Sequence, residues 1–204
     1  MLIRQTRNSE FAETENLTRE AFWNVYSPGC SEHLILHKLR QSPQYVPQLD
    51  CVLEHEGKLV AHIAYAEGTL TDEAGCTQPL LLFGPVSVLP KFQNRGFGGT
   101  LICNTLEQAK RLGYAAVVIT GSPAYYHRFG FESASAHGIF HKEFPQGEES
   151  PFFMCKVLDA QKAQTFQGVY QDPPCYFVQA DEVEAFDRAF PPKIREKRPG
   201  QLSE

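Results

Sequence analysis

The chain has 204 residues, of which 42% are hydrophobic and 21% charged, and its formal net charge is −5 at pH 7. This length and composition predict one globular domain with its own core. The acidic balance argues against nucleic acid, or an anionic membrane surface, as the main partner.

The N-terminal segment predicts a short strand and two helices. The strand covers residues 2–6. Asn8 or Ser9 can then cap a helix, because both side chains accept hydrogen bonds from the free N–H groups of a first helical turn. Pro28-Gly29 ends this helix, and Ser31 caps a second, shorter one.

The next segment predicts three strands. Two runs with alternating apolar residues, 51–55 and 59–70, flank Glu56-Gly57 and predict a β-hairpin. After a polar loop, residues 80–89 form an apolar run, which is typical of a strand covered on both faces. Pro85 inside this run is unusual, because proline lacks a ladder N–H and occurs in sheets at edges or bulges.

The centre of the chain is a strand, a glycine loop and a helix in succession. The loop covers residues 90–99 and opens an amphipathic helix over residues 100–112. A further apolar run (115–120) and a short aromatic segment (123–131) follow. A glycine loop between a strand and a helix can hold phosphates. Its N–H groups converge, and the helix N-terminus carries roughly half a positive charge.

The C-terminal part is less regular. Residues 138–144 and 152–158 predict a last pair of strands. A capping box at residues 181–184 predicts a short helix that ends at Phe190, because two prolines follow it.

The domain organisation and the compartment follow from these elements. We predict a domain over residues 1–158 and a C-terminal extension, residues 159–204, that packs on it and ends in a mobile basic tail (193–198). No apolar run reaches the ~20 residues that a membrane helix needs, and the first residues are too few and too polar for a signal peptide. The six cysteines include no Cys-x-x-Cys, which is typical of reduced thiols. We therefore predict a cytoplasmic protein.

Two common phosphate motifs fail in the glycine loop. The P-loop pattern needs Gly-Lys-Ser/Thr, and here the glycines continue into Thr100-Leu101 with no lysine. The dinucleotide pattern Gly-x-Gly-x-x-Gly would need a glycine in place of Leu101. What remains is Gln93-x-x-Gly96-x-Gly98, after a strand and before a helix.

This remaining motif resembles the acetyl-CoA motif of the GNAT superfamily of N-acetyltransferases, which reads Gln/Arg-x-x-Gly-x-Gly/Ala in the same context. The resemblance includes Pro90, three residues before the motif glutamine, and an aromatic-x-x-x-Gly-Phe signature that begins at Tyr126. It extends over residues 2–158. Both motifs occur together, with a helix and a strand between them.

The resemblance implies an α/β fold with a central mixed, mostly antiparallel sheet, splayed between its fourth and fifth strands and flanked by about four helices. Gly84-Pro85 would form the bulge of the fourth strand. The co-substrate would be acetyl-CoA, with its pantetheine arm on the backbone of Val86 and Val88 and its pyrophosphate on the glycine loop. The implied loop residues are Gln93, Asn94, Arg95, Gly96, Phe97, Gly98 and Gly99. No metal is expected.

The resemblance also implies the catalytic groups. Tyr126 would donate a hydrogen bond to the departing thiolate, and a backbone N–H near Val86 and Val88 would stabilise the oxyanion. Many family members have a glutamate base in the fourth strand, and this chain has none between residues 80 and 89. The base therefore stays unassigned. Its candidates are Glu67, His62 and Ser87, and for Glu67 and His62 a structural hydrogen bond is the favoured interpretation.

Other reactive side chains do not predict a site. His33 and His37 are one helical turn apart, but no third ligand is near them in sequence. His137 and His141 also lack partners. Cys103 falls on the predicted long helix without a basic partner and is expected to be buried.

The acceptor site, in this fold, is walled by the connection between the first two helices and by the last strands, here residues 23–31 and 137–151. Trp23, Tyr26 and Phe144 are candidates for an aromatic pocket. The acceptor, a small-molecule amine or a peptide amine, stays open, as does a homodimer. The predicted function is acetyl transfer to a primary amine by direct attack in a ternary complex. The alternative is a non-catalytic acyl-CoA-binding module of the same fold, for sensing or assembly.

Overall fold

The structure is a computed structural model that describes residues 1–144 and 150–201. Its strands are β1 (Leu2–Gln5), β2 (Cys51–His55), β3 (Lys58–Thr71), β4 (Thr77–Val88), β5 (Ala116–Thr120), β6 (Glu132–Ser133), β7 (Ile139–His141), β8 (Phe153–Val157) and β9 (Gly168–Gln171). Its helices are α1 (Phe11–Phe22), α2 (Glu32–Arg40), α3 (Phe97–Arg111), α4 (Pro123–Tyr126), α5 (Ala160–Ala163) and α6 (Ala180–Asp187). Within these described ranges, no helix is long and apolar enough to cross a bilayer.

All the strands belong to one mixed sheet. Its main path runs β1-β2-β3-β4-β5-β8-β6, and β9 pairs with both β3 and β7. The pairs β4–β5 and β7–β9 are parallel, and the other pairs are antiparallel. The predicted fold class is therefore confirmed, with α1, α2, α3 and α6 as the four longest helices.

Side chains alternate along each strand, so both faces of the sheet carry apolar residues, and helices cover both faces. On one face, Tyr65 and Leu81 pack with α3, whose predicted stripe is buried: Leu101, Ile102, Leu106 and Ala109. On the other face, Ala64 and Leu80 pack with α2. Strands β3 and β4 therefore lie in the middle of the core, and the glycine loop follows the end of β4.

A bulge interrupts β4 at Gly84-Pro85. On β3, Ile63 pairs with Val86 and Tyr65 pairs with Phe83. The one residue between them on β3 therefore opposes two residues on β4, Gly84 and Pro85. This register shift marks an extra residue in β4. The bulge lies where the proline of the apolar run predicts it.

The splay between β4 and β5 begins next to this bulge. The parallel ladder consists of two pairs, Leu81 with Val117 and Leu82 with Val118. Beyond these pairs, β4 continues to Val88 along β3, and β5 continues along β8. The facing edges of the two strands therefore separate, as the fold class predicts.

The two predicted last strands are present as β7 and β8, but they do not pair with each other. Strand β7 pairs with β9, whereas β8 pairs with β5 and β6, so β7 and β8 are not neighbours. The partner of β7 is a four-residue strand that lacks a pattern of alternating apolar residues. Such a short strand is set by the sheet edge that receives it, which local sequence does not indicate.

Two helix starts also differ from the prediction. The N–H of Arg7 donates to Glu10 Oε2 at 2.9 Å, and a 3-10 turn over Asn8–Glu10 precedes α1 in place of a cap by Asn8 or Ser9. The capping box of α6 joins Gln179 and Glu182, two residues before the predicted one.

The C-terminal residues lie against α1. The carbonyl of Ile194 accepts hydrogen bonds from Trp23 Nε1 at 2.9 Å and from Asn24 Nδ2 at 3.0 Å. Asp187, the last residue of α6, contacts the fully buried guanidinium of Arg19 at 2.6 Å. The basic segment 193–198 thus continues from an anchored helix. The domain boundary at residue 158 stays a prediction.

The buried pair of Arg19 and Asp187 gives a test of this anchoring. D187N removes the carboxylate charge and leaves the buried Arg19 without its counter-ion, so we expect the free energy of unfolding to fall by about 3 kcal/mol. The control is E184Q on the same helix, which removes the partner of the exposed Arg188 and should change stability little. Urea unfolding measures both variants. Equal stability of D187N and E184Q would contradict the anchoring.

Candidate active site

The glycine loop positions a set of free N–H groups at the start of α3. Asn94 and Gly96 both adopt left-handed backbone conformations, with φ of 59° and 84°. The first helical hydrogen bond runs from Thr100 N–H to the Gly96 carbonyl at 2.9 Å. The N–H groups of Phe97, Gly98 and Gly99 therefore precede the helical ladder and point out of the helix end, where a helix binds anions.

A groove of about 590 Å³ lies along these N–H groups. It is lined by Val88, Phe92, Gln93, Asn94, Gly96, Phe97, Gly98, Gly99, Tyr125, Arg128 and Phe129. A Cβ at Gly98 would lie 3.1 Å from the Tyr125 hydroxyl, and one at Gly99 would lie 3.2 Å from the Phe129 ring. The glycines thus let α4 and the turn after it approach the helix end, and any side chain here would fill the groove.

All of the predicted loop residues except Arg95 line this groove. Gln93 Nε2 donates to the Val88 carbonyl at 3.1 Å, and the Gln93 N–H donates to Pro90 at 3.3 Å. The motif glutamine therefore ties the loop to β4, and its N–H is already engaged. Arg95 lies over the Phe92 ring, with its guanidinium carbon 5.5 Å from the ring centre.

Sequence reasoning missed part of the groove wall. Tyr125 and Arg128 both line the groove. The guanidinium of Arg128 stacks 4.8 Å from the centre of the Tyr125 ring. Their spacing of three residues in a short helical segment is the signal that could have paired them. Arg128 gives the groove a cation opposite the helix N-terminus.

Tyr126 packs at the closed end of the gap between β4 and β5. Its ring lies 5.9 Å from Phe131, 6.0 Å from Phe83 and 4.9 Å from Tyr125, and it covers Gly121 at the end of β5. Burial raises the pKa of the Tyr126 phenol well above its usual value, and the nearby hydroxyls of Tyr125 and Tyr26 add to the shift. The hydroxyl is therefore a proton-bearing donor at neutral pH.

Val86 and Val88 lie on β4 beyond the bulge, and both are partly buried. On one side they pair with β3, at Ile63 and Ala61. The other edge of this part of β4 faces the gap, because the ladder with β5 ends at Leu82. A bare strand edge presents N–H and C=O groups to any extended molecule in the gap.

The three candidate bases all have hydrogen-bond partners elsewhere. Glu67 accepts a hydrogen bond from the Tyr114 hydroxyl at 2.7 Å, next to the paired part of β4 and β5. His62 Nε2 contacts the buried Asp50 carboxylate at 2.8 Å. Ser87 is buried and donates to Thr18 at 3.0 Å. For Glu67 and His62 these contacts agree with the favoured structural interpretation, and the base stays unassigned.

The predicted aromatic acceptor pocket is not assembled from all three side chains. Trp23 is 9% exposed and lies under Arg19, whose guanidinium carbon is 4.3 Å from its ring centre. Phe144 stacks on His141 at 4.7 Å, and residues 145–149 of the predicted wall lie outside the described residues. Tyr26 is 51% exposed, and its hydroxyl interacts electrostatically with Tyr126.

The loop that carries Tyr26 is closed at its base. Asn24 N–H donates to the Gly29 carbonyl at 2.8 Å, and the Gly29 N–H donates to the Asn24 side-chain oxygen at 2.8 Å. Just after this loop, the Glu32 carboxylate accepts the Ser31 N–H at 2.9 Å. Burial raises the pKa of Glu32, and its charge acts on Tyr26. Glu32 is thus a partly buried carboxylate whose charge acts on Tyr26.

His33, which by sequence does not predict a metal site, belongs to a buried structural cluster. His33 Nδ1 lies 3.4 Å from Cys30 Sγ, and its Nε2 lies 3.3 Å from Asp187 Oδ1. Burial raises the pKa of the Cys30 thiol and lowers that of His33 to about 4. A protonated thiol beside a neutral imidazole is not an activated nucleophile. Among the described residues, no group of three His, Cys, Asp or Glu side chains could hold a metal.

Comparison with known proteins identifies relatives. A family model described as an acetyltransferase (GNAT) domain matches residues 2–134. Two relatives from Escherichia coli (strain K12) are both named as uncharacterized N-acetyltransferases. The chain is 32% identical to YjhQ over 117 residues, which are 56% of this chain and 64% of YjhQ. It is 30% identical to YhbS over 159 residues, which are 78% of this chain and 89% of YhbS.

Two solved structures are similar to this one. YhbS from Escherichia coli, in complex with CoA, has a TM-score of 0.73 and 24% identity, and the match covers 86% of this chain and 91% of that chain. A GNAT family acetyltransferase from Brucella melitensis, in complex with acetyl-CoA, has a TM-score of 0.68 and 28% identity, and the match covers 86% and 97% of the two chains. Both agree with the sheet described above.

Thiol reactivity tests the placement of the cysteines. Cys103 is exposed on α3, in contrast to its expected burial, because its position lies outside the buried stripe; Cys76 is also exposed. Burial raises the pKa of the other four thiols, which are Cys30, Cys51, Cys155 and Cys175. We expect the folded protein to react with Ellman's reagent rapidly at Cys76 and Cys103, and at the other four after denaturation. Fast reaction of C76S/C103S would contradict this placement.

Proposed function

This chain belongs to the GNAT acetyltransferase family, and on that premise we propose that it transfers an acetyl group from acetyl-CoA to a primary amine. The amine would attack directly, with both substrates bound. One observation carries the proposal. The groove at the start of α3 is lined by Tyr125, whose ring centre lies 4.9 Å from that of Tyr126, and Tyr126 in turn contacts Phe83 of β4, next to the point where β4 leaves β5.

The groove suits the pyrophosphate of acetyl-CoA. The N–H groups of Gly98 and Gly99, the positive end of α3 and the guanidinium of Arg128 all favour an anion between them. The pantetheine arm would follow the free edge of β4 at Val86 and Val88, as an added strand does. This arrangement would bring the thioester to Tyr126.

Acetyl transfer needs a neutral amine, because the nitrogen lone pair forms the new C–N bond as the C–S bond breaks. A Lys-like amine with a pKa of about 10.4 is neutral for about one part in 2,500 at pH 7, which corresponds to ~4.6 kcal/mol. The protein must therefore help to remove a proton from the ammonium. Backbone N–H groups of β4 near Val86 would hold the carbonyl oxygen while it carries negative charge.

Tyr126 would assist the departing sulfur. A phenol with a pKa of about 10 gives its proton to a thiolate, whose acid has a pKa of about 8.5, at a cost of roughly 2 kcal/mol. Burial raises the pKa of Tyr126 further, so a complete proton transfer is harder still. We therefore assign Tyr126 the role of a hydrogen-bond donor to sulfur.

The proposed acceptor side carries a negatively charged group, the carboxylate of Glu32. Glu32 is a partly buried carboxylate, and no Lys, Arg or His side chain lies within 4 Å of it among the described residues. An ammonium group near Tyr26 would compensate its charge, and the raised pKa of Glu32 suits a group that accepts a proton. We propose a cationic primary amine as the acceptor, held between Tyr26 and Tyr126.

The alternative function is a non-catalytic acyl-CoA-binding module. It is supported by the absence of a glutamate from residues 80–89 and by the structural hydrogen bonds of Glu67 and His62. A module that only senses acyl-CoA would bind acetyl-CoA without releasing CoA. The compartment and a homodimer stay predictions.

Release of free thiol from acetyl-CoA tests the reaction. We expect release to depend on an amine in a panel of polyamines, aromatic amines, amino sugars and peptides with a free N-terminus. Y126F keeps the ring packing and removes the donor, so it should lower kcat about 100-fold while the Kd of acetyl-CoA stays nearly unchanged. Y125F, on the groove wall, is the control. Equal losses of binding and turnover in Y126F would make Tyr126 a structural residue, and no release with any amine would favour the alternative.

A second variant tests the acceptor side. E32Q keeps an oxygen for the Ser31 N–H and removes the charge, so we expect kcat/KM for the best amine of the panel to fall about 10- to 100-fold. The affinity for acetyl-CoA should not change. E13Q, at an exposed position on α1, is the matched control. An E32Q enzyme with unchanged kcat/KM would exclude Glu32 from the acceptor site.

A further inference from the structure

The C-terminal extension reaches the bulge of β4 with one side chain. The hydroxyl of Tyr176 donates a hydrogen bond of 2.6 Å to the carbonyl of Gly84. Tyr176 is 92 residues away in sequence and lies beyond residues 2–134, which the family model matches. The bulge thus has a partner that the matched part of the chain does not supply.

The carbonyl of Gly84 needs a partner because the bulge takes it out of the regular ladder. Two residues of β4, Gly84 and Pro85, oppose one of β3 here, and Pro85 has no N–H to donate. At this partly buried position, a carbonyl without a donor is destabilising, because it has lost water without gaining another partner. Without Tyr176 the carbonyl would have to turn toward another donor, and the edge of β5 beyond Val118 carries N–H groups that have no partner on β4.

Tyr176 is held in place from both sides. It ends a 3-10 turn, Pro174–Tyr176, that packs against α2. Before this turn, β9 pairs with β3, and after it Asp187 binds the buried Arg19. Burial raises the pKa of the Tyr176 phenol well above its usual value, so it remains a donor at all physiological pH values. These anchors give the hydroxyl a fixed position relative to Gly84.

We propose that Tyr176 is a positioning residue that keeps the gap between β4 and β5 open for the thioester end of acetyl-CoA. The proposal rests on the proposed function, because it assumes that the pantetheine arm enters this gap. By holding the Gly84 carbonyl away from β5, Tyr176 fixes the start of the free edge at Val86. The C-terminal extension thereby completes a site whose nucleotide half is formed by the glycine loop and α4.

Binding of two ligands distinguishes the two halves of the site. Acetyl-CoA uses the groove and the gap, whereas adenosine 3′-phosphate 5′-diphosphate, the nucleotide half of CoA, uses only the groove. Y176F keeps the ring and removes the donor. We expect its Kd for acetyl-CoA to rise about tenfold, equivalent to about 1.4 kcal/mol, with an unchanged Kd for the nucleotide. Calorimetry measures both, well below the melting midpoint of each variant. The matched control is Y114F, which removes the hydrogen bond to Glu67 and should change neither Kd.

The outcomes are distinct. A selective loss of acetyl-CoA affinity in Y176F supports the proposal, and the retained nucleotide binding shows that the variant is folded. Unchanged affinities, or equal losses for both ligands, would overturn it. If the unmodified protein binds the nucleotide but transfers no acetyl group to any amine, the proposed function fails, and the effect of Y176F on acetyl-CoA binding is still measurable. If it binds neither ligand, both proposals fail.

Discussion

The end of the β4–β5 ladder after Leu82 is the constraint on which the rest of the site depends. Two strands that start as parallel neighbours must separate, and each then needs another partner to remain ordered. β4 remains paired with β3, and β5 remains paired with β8. The bulge at Gly84-Pro85 makes this separation local, because it shifts the register at the point of divergence. The result is a gap with a free strand edge inside an otherwise continuous sheet.

The groups around this gap belong to the glycine loop and to α4, which follow β4 and β5 in the chain. The glycine loop leaves the end of β4, and α4 leaves the end of β5, so the two meet across the opening. Gly98 and Gly99 allow that contact because they have no side chains to keep Tyr125 and Phe129 away. Arg128 then adds a positive charge where the helix N-terminus already has one. A groove that suits an anion and a partly buried tyrosine therefore result from the same divergence of two strands.

Burial shifts the pKa of two groups that the proposed function uses. It raises the pKa of the Tyr126 phenol, which keeps that hydroxyl a donor, and it raises the pKa of the Glu32 carboxylate, which makes it a better proton acceptor. In contrast, the deeply buried carboxylate of Asp50 has Arg40 and His62 as partners. Asp50 therefore stabilises the fold, whereas Glu32 is the carboxylate that we propose for the acceptor side.

The sequence by itself determined the parts that short-range chemistry controls. The glycine spacing of the loop, the apolar stripe of α3 and the proline in β4 each act on a few neighbouring residues, so the strand–loop–helix unit and the bulge could be predicted. The splay and the fold class followed from the resemblance of these motifs to the GNAT superfamily. Only the tertiary structure decided which distant residues meet there. The pairing of β7 with β9, the burial of Trp23 and the hydrogen bond of Tyr176 to Gly84 depend on long-range packing. Such contacts have no periodic signal, because an isolated side chain becomes part of a site only through the elements that carry it.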